Sequence, residues 1–283
     1  MRLSRSTRLL LALPAVAALG VLFVAPVVNV VLQSFHVNTV AGTSSAWTFG
    51  NYTQGLLSSF YRSGLLRSLW ISLVVTVIAV VIGFPFAQVY ARARGAWRFI
   101  LTLVLFLPLL TTSIVTSYGW LILLGKTGLV NSALQSAGLV SGPVNFLYSP
   151  AGIIIGLEEW ILPFVILPIA TSLAAIPPEV YKASASLGAS RTRTFATVTV
   201  PLARGGIVSG AVVAYALSMS SYTTPRLISG GVVQVLPITI YNEFMNIFNI
   251  PLGSALSVLL LIVVVVPVAI FGRGRGILGG EAR

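Results

Sequence analysis

Lys182-Ala183-Ser184-Ala185-Ser186-Leu187-Gly188, followed by Val198-Thr199-Val200-Pro201, is a basic connector between two apolar runs of membrane length, Ala151–Ala175 and Ile207–Leu227. An unstructured tether would not need helix-breaking residues at set positions. Here Pro177-Pro178 end the preceding run, helix-compatible residues extend from Glu179 to Ser186, and Pro201 stands ahead of the next run. Gly188 can take the left-handed conformation that closes one short helix and lets a second, from about Arg191 to Val198, leave at a sharp angle. The spacing predicts a folded helix-turn-helix finger within residues 177–204, attached at both ends to membrane helices.

The rest of the chain supports a membrane setting. It has 283 residues, 57% hydrophobic and only 8% charged, with a mean hydropathy of +0.99. That is far from the make-up of a water-soluble globule. Six apolar runs, Leu9–Leu32, Ser68–Tyr90, Phe99–Leu124, Ala151–Ala175, Ile207–Leu227 and Leu252–Phe271, are each long enough to cross a hydrocarbon core of roughly 30 Å as helix. They are continuously apolar and do not alternate at period two, which argues against a β-barrel. The expected fold is all-α, one transmembrane domain over residues 1–283. The first run follows Arg2, Arg5 and Arg8 and exceeds the usual 7–15-residue core of a secretory signal, so it reads as a retained helix.

A net charge of +12 would suggest nucleic acid as a partner for a soluble protein. In a membrane chain the basic residues must first be sorted by side. With the N-terminus inside, one side holds Arg2, Arg5, Arg8, Arg92, Arg94, Arg98, Lys182, Arg191, Arg193, Arg204, Arg273, Arg275 and Arg283, and the other only Arg62, Arg67, Lys126 and Arg226. The asymmetry puts both termini and the finger in the cytoplasm and leaves no need for a nucleic-acid partner; the bilayer is the partner. Three external segments remain. Gln33–Arg67 carries Trp47, Tyr52, Phe60 and Tyr61 among small polar residues and suggests short interfacial helices, a lid or edge element. Gly125–Pro150 and Ser229–Pro251 are polar connections where an outside partner would dock, the second holding Asn242 and Glu243, which face either such a partner or plain solvent.

The parts needed for enzymatic chemistry are missing. The chain has no cysteine and no aspartate, and His36 is its single histidine. Neither a metal cluster nor a Ser/His/Asp or Cys/His arrangement can be assembled from it. Gly119 and Gly125-Lys126-Thr127 imitate a phosphate loop, but five residues intervene where that motif has four, and no acid is available to help hold Mg²⁺. No cofactor is expected in this chain.

The finger resembles the cytoplasmic coupling loop of binding-protein-dependent ABC import permeases, which carry Glu-Ala-Ala, a Gly three residues on, and nine residues to an Ile-x-Leu-Pro ending. Gly188, Val198 and Pro201 keep that spacing, while Lys182-Ala183-Ser184 stands in place of Glu-Ala-Ala. The resemblance also covers Asn51-Tyr52, the run from Gly83 to Arg94, Gly128-Leu129-Val130-Asn131-Ser132, and Leu162-Pro163-Phe164 before Leu167-Pro168. Together these look like the polyamine (spermidine/putrescine) branch of the type I importers. The resemblance implies a permease subunit paired with a second permease, identical or not, two cytoplasmic ABC ATPases and an external solute-binding protein. It implies that Glu179, Lys182, Ala183, Ser184, Gly188, Val198 and Pro201 couple to the ATPase, with Glu179 able to supply the carboxylate that Lys182 replaces. Other small solutes, such as an amino acid, thiamine, a phosphonate or iron, stay open.

Glu158 and Glu159 are adjacent acids inside an apolar run, a setting that marks a functional site by default. Helical neighbours point about 100° apart, so one can face a central path while the other packs on a neighbouring helix. Trp160, Tyr118, Tyr215 and Tyr222, with Trp120, could add cation–π contact to an ammonium, and Ser218 lies in the polar half of the fifth run. Pairing of an acid with Arg226, or polar helix packing, is the competing reading. The remaining alternative is an ATP-independent secondary transporter using one of these acids as an ion site. Pro85, Pro108, Pro163, Pro168 and Pro267 fall inside runs and predict bends. The Gly152/Gly156 and Gly206/Gly210 pairs predict close helix packing.

Overall fold

The computed structural model describes residues 5–39 and 42–278; the side chains of 5–12, 15–19 and 272–278 lie outside that description. Arg2 and Arg283 therefore fall outside the described residues, as do the side chains of Arg5, Arg8, Arg273 and Arg275. In chain order the elements are α1 (Arg5–Gln33), β1 (His36–Thr39), β2 (Gly42–Trp47), α2 (Gly50–Leu57), α3 (Ser59–Arg92), α4 (Gly95–Phe106), a 3₁₀ turn (Leu107–Leu110), α5 (Ser113–Leu123) and α6 (Leu129–Ser136). They continue with α7 (Pro150–Ala174), α8 (Pro178–Ser186), α9 (Arg191–Thr194), a π turn (Phe195–Thr199), α10 (Val200–Ser220), α11 (Thr223–Ile228), α12 (Leu236–Met245) and α13 (Ile250–Leu278). Among the described residues, four helical stretches are long and apolar enough to cross a membrane: Ser59–Arg92, Pro150–Ala174, Arg191–Ser220 and Ile250–Phe271. Part of α1, Gly20–Gln33, is a shorter apolar helix.

Contacts group the chain into two compact units, the first being Met1–Ser63 with Thr239–Ile262. The segment Gln33–Arg67, expected to hold only short helices, instead begins with an antiparallel β1–β2 hairpin before α2. Asn51 fixes this turn: its buried Nδ2 donates to the carbonyls of Ser34 and His36, both at 2.8 Å. Tyr52 Oη lies 2.6 Å from Ser34 Oγ, and its ring joins a cluster with Phe35, Trp47 and Phe49. Asn51 thus satisfies backbone carbonyls that a chain reversal leaves open, while Tyr52 holds the Ser34 hydroxyl. Elsewhere in this unit, Tyr61 Oη donates to Glu243 Oε1 at 2.8 Å, and Glu243 is only 2% exposed. Burial raises the Glu243 carboxyl above its usual range, and the Tyr61 hydrogen bond partly opposes that rise.

The second unit is Gly64–Ile238 with Val263–Arg283, and α7 lies at its core. Ile153, Leu157, Ile161, Val165 and Ile169 are fully buried along α7 at helical spacing. The two small-residue pairs behave as the spacing requires. A Cβ on Gly206 would stand 2.4 Å from the Pro168 carbonyl oxygen, one on Gly210 would stand 3.0 Å from Val165 Cα, and one on Gly156 would stand 2.3 Å from Ile228 Cδ1. The α7 and α10 backbones approach there as only glycine permits, and Gly156 makes room on α7 for the Ile228 and Thr224 side chains of α11. Pro163 and Pro168 lie within α7, and Pro85 within α3, without ending either helix. The loop after α5 is held by buried Asn131, whose Nδ2 donates to the carbonyls of Gly125 and Val144 and whose Oδ1 accepts from the Val144 N–H.

Three boundaries correct the sequence reading. The single rod expected over Phe99–Leu124 is broken: Gly95–Leu110 and Ser113–Leu123 meet at 101°. Pro108 lies in the 3₁₀ turn at the break, and Thr112 then caps α5 by accepting from the Val115 N–H at 3.4 Å. Counted as one bent crossing, this pair raises the number of apolar spans among the described residues to five. The run Ile207–Leu227 is likewise not one helix, since α10 ends at Ser220 and α11 begins at Thr223. Finally, the second arm of the finger does not leave before Pro201: Arg191–Ser220 forms one helical stretch. The π turn at Phe195–Thr199 brings the Val200 N–H to the Phe195 carbonyl, loosening the ladder just where the Pro201 ring would press on it.

Candidate functional site

The finger is two-armed. Its first arm, α8, opens with Pro178 in its first turn, carries Glu179 at its positive end, and closes at Gly188 with φ +74°. The Leu187, Gly188 and Ala189 N–H groups donate to the carbonyls of Ala183, Ala185 and Ser184 at 3.1, 2.9 and 3.2 Å. These bonds satisfy carbonyls that a helix end leaves open. Ser190 caps the second arm by accepting from the Arg193 N–H at 3.3 Å. Between the arms, Ser184 Oγ and Thr194 Oγ1 lie 2.8 Å apart.

Glu179, Lys182, Ala183, Gly188 and Pro201 are exposed, while Ser184 and Val198 are half-buried. At the tip, Leu187 is 87% exposed, an apolar side chain offered outward. The bend therefore presents a short rigid surface, and its second arm continues into α10. Phe195, which the loop spacing does not single out, stacks edge-on against Phe84 of α3 with ring centroids 5.4 Å apart. Its only trace in the sequence is an aromatic residue amid Arg and Thr. On the other arm, the Arg92 guanidinium lies 5.6 Å from the centre of the Tyr181 ring.

Within the helices the two adjacent acids have different fates. Glu159 accepts a hydrogen bond from Trp120 Nε1 of α5. Glu158 is 9% exposed, and neither of its carboxylate oxygens has a hydrogen-bond partner among the described residues. Trp160 Nε1 and Ser218 Oγ are also buried without partners. Unpaired buried polar atoms are expensive and call for an explanation. Tyr215 is engaged, its Oη donating to the Val263 carbonyl at 3.2 Å. Tyr118 is 55% exposed and Tyr222 half-buried. Ser218 lines a small internal cavity with Ser68, Ser72 and Ser221. Gly119 and Gly125-Lys126-Thr127 make no phosphate loop, because Gly119 lies inside α5.

Comparison with known proteins identifies the family and the fold. Residues 76–274 match the family model described as binding-protein-dependent transport system inner membrane component. The spermidine/putrescine transport system permease protein PotB of Escherichia coli (strain K12) is 31% identical over 232 residues, covering 82% of this chain and 84% of that protein. The inner membrane ABC transporter permease protein YdcU of the same strain is 30% identical over 222 residues, covering 74% and 70%. Among solved structures, a chain of a bacterial alginate ABC transporter, crystallised with an alginate pentasaccharide-bound periplasmic protein, superposes with a TM-score of 0.71. It is 15% identical and covers 94% of this chain and 92% of that one. The fold, the exposed finger and the sequence match converge: this chain belongs to the binding-protein-dependent transport system inner membrane components, and it is the permease component of an ABC importer.

Proposed function

We propose that this chain imports a polyamine or similar cationic amine by alternating access, as one transmembrane domain of six spans with both termini and the finger in the cytoplasm. The observation that carries the reading is the two-armed finger whose second arm runs unbroken into α10. Two cytoplasmic ABC ATPases supply the ATP and Mg site, a second permease completes the path, and an external binding protein delivers solute. Closure of the ATPases moves the finger around Glu179, Lys182, Ala183, Ser184, Gly188, Val198 and Pro201, and α10 carries that motion to α7 as a lever. Family membership removes the ATP-independent alternative. Catalysis by this chain is not part of the function.

The cationic cargo is supported by the name of the PotB relatives and by the unpaired Glu158. A buried carboxylate without a protein partner is stabilised by a passing ammonium, and Glu159, Trp160, Tyr118, Tyr215, Ser218 and Tyr222 are its candidate companions on the path. Uptake of radiolabelled spermidine into vesicles containing the assembled importer tests the reading. Glu158→Gln keeps the shape and removes the charge, and uptake is expected to fall roughly tenfold, the scale of one lost ion contact. Unchanged spermidine uptake in that variant removes Glu158 from the path. Calorimetry of the binding protein against spermidine, putrescine, amino acids, thiamine and phosphonates tests the cargo separately. Binding confined to anions overturns the amine assignment and leaves the coupling role standing.

A further inference from the structure

Beside the base of the finger is a cavity of about 550 Å³, lined in part by Pro178 and Tyr181 of α8. Three arginines converge on it: Arg92 at the end of α3, Arg94 in the link, and Arg98 in the first turn of α4. No carboxylate lines it. Two of the guanidiniums are held by aromatic rings, Arg92 5.6 Å from the centre of Tyr181 and Arg98 5.7 Å from the centre of Tyr90. A guanidinium held over an aromatic ring by cation–π attraction spends no N–H donor on that contact, and its planar fork suits phosphate oxygens in pairs. Arg94, at the N-cap of α4, offers no side-chain acceptor to the free N–H groups of that helix's first turn, so the helix's positive end adds to the field.

Gln88 adds one polar group to the lining, and Leu173 and Ile176 near the end of α7 with Ala91 on α3 form an apolar wall. Trp97, 56% exposed, follows directly and belongs to the residue type that sits at headgroup depth. We propose that this cavity binds the headgroup of an anionic glycerophospholipid, its phosphate on Arg92, Arg94 and Arg98 and its glycerol end against the apolar wall. A free phosphate ion shares the arginine chemistry but has no use for that wall. The site rests on the reading that this end of the helices faces the cytoplasmic leaflet, where anionic lipids attract basic pockets between helices. Because Tyr181 belongs to α8, a seated headgroup ties the α3–α4 junction to the finger and makes coupling sensitive to lipid composition.

The test uses the assembled importer in nanodiscs of phosphatidylcholine, with and without phosphatidylglycerol. Native mass spectrometry reads retained lipid, and solute-stimulated ATP hydrolysis reads coupling. Phosphatidylglycerol is expected to be retained and to raise stimulated hydrolysis. The combined variant R92Q/R94Q/R98Q is expected to lose retention roughly tenfold, as befits loss of several charge-assisted hydrogen bonds. Ala91→Leu, which narrows the cavity without touching charge, is expected to weaken retention as well and covers the case in which the triple variant does not assemble. Equal retention of phosphatidylcholine, or retention unaffected by both variants, overturns the proposal. Displacement by inorganic phosphate at equal concentration reassigns the cavity to a soluble anion. Loss of the ATPase subunits with lipid retention intact reassigns it to subunit docking. Either reassignment overturns the lipid site while leaving the importer function in place.

Discussion

At the residue scale, glycines that admit a neighbouring backbone separate from those that merely occupy a helix. Gly206 stands where a Cβ would meet the Pro168 carbonyl oxygen at 2.4 Å, whereas the adjacent Gly205 has nothing within 4 Å of that position. Gly206→Ala is therefore expected to destabilise the protein by about 1–3 kcal/mol through forced separation of α7 and α10. Gly205→Ala, which adds a good helix former in open space, is expected to be neutral or slightly stabilising. Melting curves of the two variants in detergent read the difference, and equal melting temperatures would contradict the packing argument. Glu243 gives a second prediction at this scale. Its folded carboxyl titrates above its ordinary range, so its contribution to stability is present at pH values below that range and is lost as pH rises through the elevated value. Stability measured across this window should fall with rising pH. Glu243→Gln, which still accepts from Tyr61, should flatten the fall; an unchanged slope would assign it to another group. These positions were legible to different degrees. The Gly152/Gly156 and Gly206/Gly210 spacings can be read directly, but nothing in Asn242-Glu243 reveals a buried acid whose partner, Tyr61, is far away along the chain.

At the scale of elements, the finger was legible because glycine and proline act locally: Gly188 adopts φ +74° and closes α8 where the spacing puts it. Replacing Gly188 by Ala forces a side chain into the left-handed region at about 1–2 kcal/mol. A Cβ there meets no neighbour, so the penalty is confined to the backbone. ATP hydrolysis stimulated by solute is accordingly expected to drop in Gly188→Ala while helix content by circular dichroism stays the same. Full stimulation in that variant would show that the bend angle does not matter to coupling. Three features of the elements were hidden for physical reasons. Pro201 reads as a breaker, yet a π turn absorbs it, because one extra residue in the turn relieves the clash that a proline ring makes with the preceding carbonyl. The break between α4 and α5 vanishes in an apolar run, although Pro108 followed by the capping Thr112 is its local signal. The β1–β2 hairpin is short, polar and without alternation, so periodicity could not reveal it.

At the scale of the whole molecule, charge and apolarity together decide which ends face the cytoplasm, and the sequence contains the means of testing this. The chain has no cysteine, so any cysteine introduced is a unique reporter. Ser190, exposed at the bend of the finger, and Thr127, exposed in the loop after α5, are separated along the chain by α7, a span in its own right. If the positive-inside rule governs this chain, a helix of that length and apolarity carries the polypeptide from one side to the other between them. Ser190→Cys should then react with a membrane-impermeant maleimide only in inverted vesicles, and Thr127→Cys only in right-side-out cells. Labelling of both from the same side would mean that α7 does not cross. If Ser190→Cys labels from outside, the finger is cut off from a cytoplasmic ATPase, and α10 has no motion to transmit. Protection of Ser190→Cys when the ATPase subunits are bound, and its return when they are stripped away, is the further outcome expected if the bend is buried in their surface. Lever and anchor are thus tested on one cysteine: orientation by the side from which it reacts, coupling by whether a partner shields it.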